Sequence, residues 1–270
     1  MDAWQVALIA ATLPLLVHQV VSWHTAVLVW AVGIGYWLAF ALNDYCDAPF
    51  DKLDPQKAEG NFFVRVRVRK DQIRPYFLCI LLLLFFIFLS FGWKGCLLFA
   101  ICCLIMWAYS SPPIRLKNRP GLDLLTHALF VQTFPYLLVL LLIGVYWQPL
   151  DFVLLAIFFI ASLTAQLEQQ LRDFALDSQY EQNFTTHLGL QATLIFLKLM
   201  TAALIFLALI NILNGTIPWF IIPFGFIGLP ALLHRFFRQH NKSRSEQLVI
   251  LSTTAGFLYT GVIFIYFLLR

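Results

Sequence analysis

The chain has 270 residues, of which 61% are hydrophobic and 12% are charged. Soluble domains carry about 25% charged residues, so this composition excludes a water-soluble globular protein and an intrinsically disordered one. The formal net charge of +4 is small and lies in segments between apolar stretches, which excludes a nucleic-acid-binding protein. We therefore expect an all-α protein that crosses a lipid bilayer several times, because helices satisfy their own backbone hydrogen bonds in lipid.

Apolar segments long enough to span a membrane recur along the chain, since a spanning helix needs about 20 apolar residues. In chain order, the charge-free segments are 4–23, 24–42, 76–93, 95–114, 124–150 and 152–167, followed by 188–234 with Lys198 inside it, and by 247–269. Splitting the first pair between Trp23 and His24, and the long segment around Asn214, gives nine transmembrane helices. We expect them to form a single domain, residues 1–270.

The Lys and Arg residues fall almost entirely on one side of the membrane if nine helices alternate in direction. The loops after the second, fourth, sixth and eighth helices contain Lys52, Lys57, Arg65, Arg67, Arg69, Lys70, Arg74, Arg115, Lys117, Arg119, Arg172, Arg235, Arg238, Lys242 and Arg244. The opposite side contains Lys94 and Arg270. Because short loops rich in Lys and Arg stay in the cytoplasm, we expect a multi-pass protein of the cell (inner) membrane, with its amino terminus inside and its carboxy terminus outside.

Two acidic clusters end predicted helices on this cytoplasmic side. Asp44, Asp47 and Asp51 have i, i+3, i+7 spacing, and Asp173 and Asp177 have i, i+4 spacing, so each cluster occupies one helix face. Like charges at these spacings repel, and Mg²⁺ relieves the repulsion by binding one or two carboxylates together with water and phosphate oxygens. Either cluster alone is equally well explained by solvated carboxylates at a helix end. Two clusters on one membrane face favour a ligand with a diphosphate and an apolar tail.

These motifs resemble those of the UbiA-type intramembrane prenyltransferases. The first motif of that family, Asn-Asp-x-x-Asp-x-x-x-Asp, matches residues 43–51. The second, Asp-x-x-x-Asp after an arginine, matches residues 172–177. A Tyr-Ser-x-Pro-Pro segment followed by basic residues matches residues 109–117. Three motifs in the right order, together with the helix count, extend the resemblance over nearly the whole chain.

The resemblance implies about nine transmembrane helices around a central cavity, capped by cytoplasmic loops, and an active site that faces the cytoplasm. It implies an isoprenyl diphosphate donor, a lipophilic acceptor and Mg²⁺. The implied metal ligands are Asn43, Asp44, Asp47, Asp51, Asp173 and Asp177. The implied diphosphate-binding residues are Asn43, Lys57, Arg115, Lys117 and Arg172. The implied catalytic residues are Asp44, Asp47, Asp173, Asp177 and Tyr109.

Two departures from the family pattern bear on these assignments. Pro49 lies inside the first motif, where it removes one helical hydrogen bond, and we expect it to kink the helix and turn Asp51 away from the other two aspartates. After the second motif the family usually has Lys or Arg before Thr, whereas residues 183–185 of this chain contain no cation. Lys57 or the arginines within 65–69 are candidates to replace it, although a solvated helix start explains those arginines equally well.

Three further positions have competing explanations. The resemblance implies that Tyr109 and Phe174 line the site and stabilise a cation, but ordinary packing explains both equally well. Lys198 lies about 15 Å into the seventh predicted helix. A charge inside the membrane is a functional candidate by default, although a structural pairing or a side chain that reaches toward the interface is the favoured explanation here.

The acceptor is not named by any residue. Residues 115–123 resemble the carotenoid-elongating and chlorophyll-synthase-like branches, which implies a large apolar or aromatic acceptor such as a carotenoid or a porphyrin-like ring. A quinone precursor, hydroxybenzoate or naphthoate, is the alternative acceptor. A catalytically silent relative is compatible with the two departures. A transporter is disfavoured because the two halves lack corresponding interrupted helices.

Overall fold

The computed structural model describes residues 3–53, 55–66, 70–180, 182–237 and 246–269. All regular elements in these ranges are helical, and none of the described residues forms a strand. The α-helices are α1 (Ala3–Val17), α2 (Trp23–Asp51), α3 (Pro55–Gly60), α4 (Phe62–Arg65), α5 (Lys70–Leu89), α6 (Gly92–Ser110), α7 (Leu122–Ala128), α8 (Phe134–Ile143), α9 (Pro149–Tyr180), α10 (Phe184–Leu188), α11 (Leu190–Leu213), α12 (Ile222–Phe237) and α13 (Glu246–Leu268). The predicted loop cations Arg67, Arg69, Arg238, Lys242 and Arg244, and the terminal Arg270, lie outside the described residues.

Seven helical stretches of the described residues are long and apolar enough to cross a membrane, one of them formed by α7, the π-helical segment Leu129–Thr133 and α8 together. They cover Trp23–Asp51, Gln72–Leu89, Gly92–Ser110, Leu122–Ile143, Pro149–Ala175, Leu190–Leu213 and Gln247–Leu268. Two shorter apolar helices, Trp4–Val17 and Ile222–Phe237, occupy the positions predicted for the first and eighth spans. The polytopic all-α fold class is therefore confirmed, and the count of nine spans stays a prediction.

Both uncertain divisions of the sequence are real breaks in the helices. α1 ends at Val17 and α2 begins at Trp23, with Gln19 in the left-handed region at a φ of 54°. α11 ends at Leu213, and Gly215 adopts a φ of 69°, which glycine tolerates without steric cost. The break around Asn214 thus follows from local turn chemistry.

Contacts divide the chain into two compact units, Val27–Leu116 and the remainder, Met1–Ala26 with Lys117–Arg270. In the second of these, α1 packs on α8 and α13, while α9 packs on α7 and α11. Ala7, Ala10 and Ala11 are fully buried, and such small residues let membrane helices approach closely. Leu16 and Tyr136 belong to the larger buried cluster that fills this unit.

In the unit Val27–Leu116, α5 and α6 form a helical hairpin. Gly92 begins α6 at a φ of 70°, and a Cβ at Gly95 would collide with the carbonyl oxygen of Phe88. Phe88 and Phe99 also pack with ring centroids 5.6 Å apart. The hairpin therefore depends on the glycine at position 95, because only glycine allows this approach of the two backbones.

A buried polar cluster ties three helices of the larger unit together, near the predicted outer ends of α1 and α9. Asp151 is fully buried and accepts hydrogen bonds from Tyr136 Oη at 2.6 Å and from the backbone nitrogen of Gln148 at 2.6 Å. Nε2 of His18 lies 3.1 Å from Oδ1 of the same carboxylate. Because a buried carboxylate needs such partners, this cluster fixes the ends of α1 and α9 against α8.

Candidate functional site

The first acidic motif lies on the last turns of α2. The helix continues through Pro49 to Asp51, so Asp44, Asp47 and Asp51 keep the helical spacing that the sequence predicts. The side chain of Pro49 is exposed. Pro49 lacks an N–H and cannot donate to the carbonyl of Tyr45, but the helix does not end there.

Asp47 is the centre of a polar cluster at this helix end. Asn43 Nδ2 donates to Asp47 Oδ2 at 3.0 Å, and Arg115 Nη2 donates to Asp47 Oδ1 at 3.1 Å. Ser110 Oγ donates to Asn43 Oδ1 at 3.2 Å, which connects α2 to the end of α6. The side chains of Arg115 and Asp47 are only 16% and 14% exposed, so water screens this ion pair less than one at the surface. A predicted metal ligand and a predicted diphosphate-binding cation are thus in direct contact.

Arg115 is held by its backbone and by an aromatic ring as well as by Asp47. The Ser-Pro-Pro turn that follows α6 ends with a hydrogen bond from the backbone nitrogen of Arg115 to the carbonyl of Ser111 at 3.0 Å. Arg115 adopts a φ of 40°, which costs a non-glycine residue about 1–2 kcal/mol. Its guanidinium carbon lies 4.5 Å from the centroid of the Phe50 ring. A cation held in a strained conformation over an aromatic face is typical of a functional site.

Asn61 is a residue of this cluster that the sequence did not single out. It is 3% exposed, and its Nδ2 donates to the carbonyl oxygen of Asp44 and to Asp51 Oδ2, both at 2.7 Å. Its Oδ1 accepts a hydrogen bond from the backbone nitrogen of Phe63, so Asn61 also caps α4. An asparagine before an apolar pair is a helix N-cap signal, but no local pattern indicates its contact with Asp51. Asp51 therefore accepts a hydrogen bond from an amide, whereas Asp47 accepts from both an amide and a cation.

The second motif lies in the last third of α9. Arg172 Nε donates to Asp173 Oδ1 at 2.8 Å, and Arg172 Nη2 donates to Asp173 Oδ2 at 3.0 Å. These two bonds form the paired fork geometry that arginine and carboxylate prefer. The side chains are 27% and 21% exposed, so this pair is more accessible to water than Arg115 and Asp47.

Asp177 is more buried than Asp173 and has an uncharged partner. Asp177 is 7% exposed, and Asn183 Nδ2 donates to its Oδ2 at 2.9 Å. Asn183 also caps α10 through a reciprocal pair of hydrogen bonds with Thr186. The segment in which the family cation is missing thus supplies an amide donor to Asp177 instead.

The remaining predicted residues are partly buried: Lys57, Lys117, Tyr109, Phe174 and Lys198. Lys57 lies on α3, Tyr109 on the last turn of α6, and Phe174 follows Asp173 on α9. Arg65, at the end of α4, is exposed. The roles assigned to these side chains stay predictions.

The structure brings the predicted residues into two separate sets of contacts. One contains Asn43, Asp47 and Arg115 in the unit Val27–Leu116, and the other contains Arg172 with Asp173 in the larger unit. No group of three or more His, Cys, Asp or Glu side chains that could hold a metal ion by itself occurs among the described residues. The donors available are carboxylate and amide oxygens, which Mg²⁺ prefers, and Mg²⁺ needs only one or two carboxylates when phosphate oxygens complete its shell. The residues present therefore fit Mg²⁺ bound together with a phosphate-bearing ligand.

Comparison with known proteins gives one family. The model of the UbiA prenyltransferase family matches residues 5–267 of the chain. A UbiA homolog from Archaeoglobus fulgidus bound to GPP and Mg²⁺ is 18% identical and has a TM-score of 0.75, with 97% of this chain and 96% of that chain covered. The same homolog bound to DMAPP and Mg²⁺ gives a TM-score of 0.74 at the same identity and coverage. The apo structure of a UbiA homolog from Aeropyrum pernix K1 is 14% identical, with a TM-score of 0.75 and 97% of each chain covered. No curated protein matches the chain.

Proposed function

The chain belongs to the UbiA prenyltransferase family, and on that basis we propose that it transfers a prenyl group from an isoprenyl diphosphate to a large apolar or aromatic acceptor with Mg²⁺ as cofactor. The contact of Asp47 with Asn43 and Arg115 is the observation that carries the proposal. It joins a carboxylate suited to Mg²⁺ with a cation suited to phosphate at the end of an apolar helix. The solved homolog structures with DMAPP or GPP and Mg²⁺ support the class of donor.

The residues that would hold Mg²⁺ are those of the two acidic motifs: Asn43, Asp44, Asp47, Asp51, Asp173 and Asp177. Bound Mg²⁺ supplies positive charge that stabilises the diphosphate as the allylic carbon–oxygen bond breaks. Arg115 and Arg172 are paired with Asp47 and Asp173 in the structure. We propose that their guanidinium groups bind phosphate oxygens when substrate is present. Lys57 and Lys117 add charge for the same purpose.

We propose that both motifs serve one diphosphate and that residues 1–270 act as a single catalytic domain. The order of the motifs, their placement on one predicted membrane face and the family match over residues 5–267 support this. Tyr109 and Phe174 would line the path of the allylic cation, exclude water from it and stabilise it through their ring faces.

The proposed location is the cell (inner) membrane, with the active site facing the cytoplasm and the amino terminus inside. Large aromatic side chains are exposed at the turns predicted to face outward: Trp23, Trp93, Tyr146, Trp147 and Trp219. Aromatic belts of this kind mark membrane–water interfaces. Because such belts occur at both interfaces, these residues support the placement of their turns at a membrane surface, while the Lys- and Arg-rich turns support the cytoplasmic assignment of the opposite side.

For the acceptor we propose a carotenoid or porphyrin-like molecule, on the resemblance of residues 115–123. A quinone precursor is the second candidate, since other members of the family use such rings. Mass spectrometry of lipids and pigments from a host with and without the gene would identify the prenylated product. A new prenylated carotenoid or porphyrin would support the first acceptor, and a prenylated hydroxybenzoate or naphthoate would support the second.

The reaction is tested by incubating purified protein with geranylgeranyl diphosphate and measuring diphosphate release with and without Mg²⁺. We expect release that depends on Mg²⁺ and stops when EDTA is added. Binding of the donor without release would indicate a catalytically silent relative. If the protein neither binds the donor nor releases diphosphate, the proposal is contradicted and a transporter is favoured.

A further inference from the structure

A buried hydrogen-bond network lies directly beside the second acidic motif. Asp123 is 1% exposed, and its Oδ2 accepts hydrogen bonds from Gln170 Nε2 at 2.6 Å and from the backbone nitrogen of Phe184 at 2.9 Å. Gln170 Oε1 in turn accepts from the backbone nitrogen of Thr185 at 3.1 Å and from its hydroxyl at 2.9 Å. Gln170 and Thr185 are 3% and 0% exposed. The network therefore fixes two successive backbone amides at the start of α10 to α7 and α9.

The same turn of chain holds Asp177. Asn183, which immediately precedes Phe184, donates to Asp177 Oδ2 at 2.9 Å and is itself 4% exposed. Gln170 lies seven residues before Asp177 on α9, so both belong to the same stretch of one helix. The path from Asp123 through Phe184 and Asn183 to Asp177 consists of hydrogen bonds and one peptide linkage. A displacement of residues 183–185 would thus change the orientation of the Asp177 carboxylate.

The charge of Asp123 is costly at this position, which argues that its contacts have a purpose. Both of its hydrogen bonds are made by Oδ2, and Oδ1 is buried with no hydrogen-bond partner among the described residues. A buried carboxylate that lacks a partner for one oxygen is destabilising by itself. Its bonds to Gln170 and to the Phe184 amide are charge-assisted, and such bonds are about twice as strong as neutral ones.

We infer that Asp123 is a positioning residue for the second motif: it holds residues 183–185 so that Asn183 orients the carboxylate of Asp177 toward the Mg²⁺–diphosphate ligand. The inference rests on the proposed function of Asp177. Asp123 acts through other residues and touches no substrate. Asn183, in the segment that lacks the family cation, then supplies the donor to Asp177, while the next residue, Phe184, is held by the buried carboxylate of Asp123.

The inference is tested on the full-length protein with three variants. Asp123→Ala removes the acceptor for both hydrogen bonds, whereas Asp123→Asn keeps a carbonyl oxygen that can replace Oδ2. Thr185→Val removes only the hydroxyl bond to Gln170 and is a milder change should Asp123→Ala fail to fold. Thr201→Val is the matched control, because Thr201 is equally buried but, among the described residues, its hydroxyl bonds to Leu197 of its own helix alone.

Two measurements are made on each variant. The first is amide hydrogen exchange at residues 183–186 without Mg²⁺ or substrate. The second is the Mg²⁺ concentration that gives half of the maximal thermal stabilisation by geranylgeranyl diphosphate, which requires binding but no turnover. For Asp123→Ala we expect about tenfold faster exchange and an about tenfold higher Mg²⁺ requirement, as a lost charge-assisted bond of about 1.5 kcal/mol implies. For Thr185→Val we expect both changes at about threefold, and for Asp123→Asn also about threefold, because a neutral carbonyl accepts the same bonds about half as strongly. For Thr201→Val we expect both values within about twofold of the wild type.

Each outcome bears on the inference. Unchanged exchange in Asp123→Ala and Thr185→Val would overturn it, and so would faster exchange with an unchanged Mg²⁺ requirement, because Asp123 would then have only a structural role. An Asp123→Asn variant as impaired as Asp123→Ala would also overturn it, since asparagine keeps an acceptor oxygen for both hydrogen bonds and should retain part of their effect. Wild-type protein that binds Mg²⁺ and donor but releases no diphosphate would refute the proposed reaction and leave this comparison of variants intact. Absence of any stabilisation in the wild type would overturn both.

Discussion

The two acidic motifs obtain their hydrogen-bond partners in different ways. In the first motif, Asp47 is paired with Arg115, which lies 68 residues away in sequence, in the segment that follows α6. In the second, Asp173 is paired with Arg172, its neighbour on the same helix. The first pair is also the less exposed of the two. The pairing of Asp47 therefore depends on tertiary contacts between α2 and the segment after α6. The second motif depends on one long helix and on the turn that follows it, which Asp123 of α7 holds in place.

Because of this difference, we expect the first motif to be more sensitive than the second to loss of its arginine. Removing the cation from the less exposed pair leaves an uncompensated, largely buried carboxylate, which is more costly than the same change at the more exposed pair. The carboxylates themselves should be equally necessary if both motifs serve one diphosphate. Substitutions of the carboxylates should therefore have the largest effects, followed by those of the arginines and then of the amide partners.

Loss of a motif carboxylate should have the largest effect on the rate of diphosphate release. We expect Asp47→Ala and Asp173→Ala each to lower the rate of diphosphate release by about 10²–10³-fold, because each removes charge that stabilises the departing diphosphate. Folding should be intact in both, as judged by a single peak in size-exclusion chromatography. Near-normal rates in both variants would contradict the assignment. A loss in only one of them would show that the motifs do not share a ligand.

Removal of the arginine should lower activity more in the first motif than in the second. Arg115→Ala removes a cation that is held by Asp47 and lies over Phe50, so we expect an about 100-fold loss in kcat/KM with a raised donor KM. Arg172→Ala should cost only about tenfold, because its pair is more exposed. Arg115→Lys should restore little, since lysine cannot reproduce the planar contact. Equal losses in the two alanine variants would remove the contrast between the motifs.

The amide partners should have smaller effects. Asn61→Ala breaks the bonds to Asp44 and Asp51, and we expect an about tenfold higher Mg²⁺ requirement from the loss of one to two net hydrogen bonds. Asn214→Ala, at an exposed helix end, is the control and should behave as the wild type. An unchanged Mg²⁺ requirement in Asn61→Ala would show that Asp51 needs no such partner.

The buried cluster around Asp151 serves as a control for effects on stability alone, because none of its described hydrogen bonds reaches an acidic motif. Asp151→Ala leaves Tyr136 and His18 without their buried acceptor, and we expect a loss of about 1–3 kcal/mol of stability, seen as a lower Tm. The rate per folded molecule and its Mg²⁺ dependence should stay within about twofold, because no described hydrogen bond of Asp151 reaches an acidic motif. A specific rise in the Mg²⁺ requirement would mean that the two ends of α9 are coupled.

Lys198 should matter least. We expect Lys198→Met to change the rate of diphosphate release by less than about twofold, since methionine keeps the apolar stem and neither motif contains this residue. A collapse in the rate of this variant would place Lys198 in the active site.

The sequence predicted the long apolar helices and the position of both motifs because these features are local. Charge-free segments, turn residues such as Gly215 and the spacing of the aspartates are read directly from neighbouring residues. It assigned Arg115 to diphosphate binding only through the family resemblance, since the contact with Asp47 joins distant segments; that role stays a prediction. Asn61 and Asp123 were missed for the same reason: an isolated polar residue has no local pattern, and its value lies in partners that only the folded chain brings near.

The kink expected at Pro49 illustrates a different limit. A proline inside a helix removes one donor, but the helix continues to Asp51, and the amide of Asn61 bonds to both Asp44 and Asp51. The kink itself stays a prediction, and what the sequence could not indicate is the contact of Asn61 with this helix end. Near Asn183, the missing family cation pointed to distant lysines and arginines, whereas the side-chain amide of Asn183 itself contacts Asp177.

The central claim is that both acidic motifs bind one Mg²⁺–diphosphate ligand. An experimental structure with Mg²⁺ and a non-hydrolysable geranylgeranyl diphosphate analogue tests it most directly. We predict oxygen atoms of at least one carboxylate from each motif at about 2.0–2.1 Å from Mg²⁺ ions that also bind the diphosphate. A diphosphate that contacts one motif only, with the other bound to water or to its own protein partners, would contradict the account.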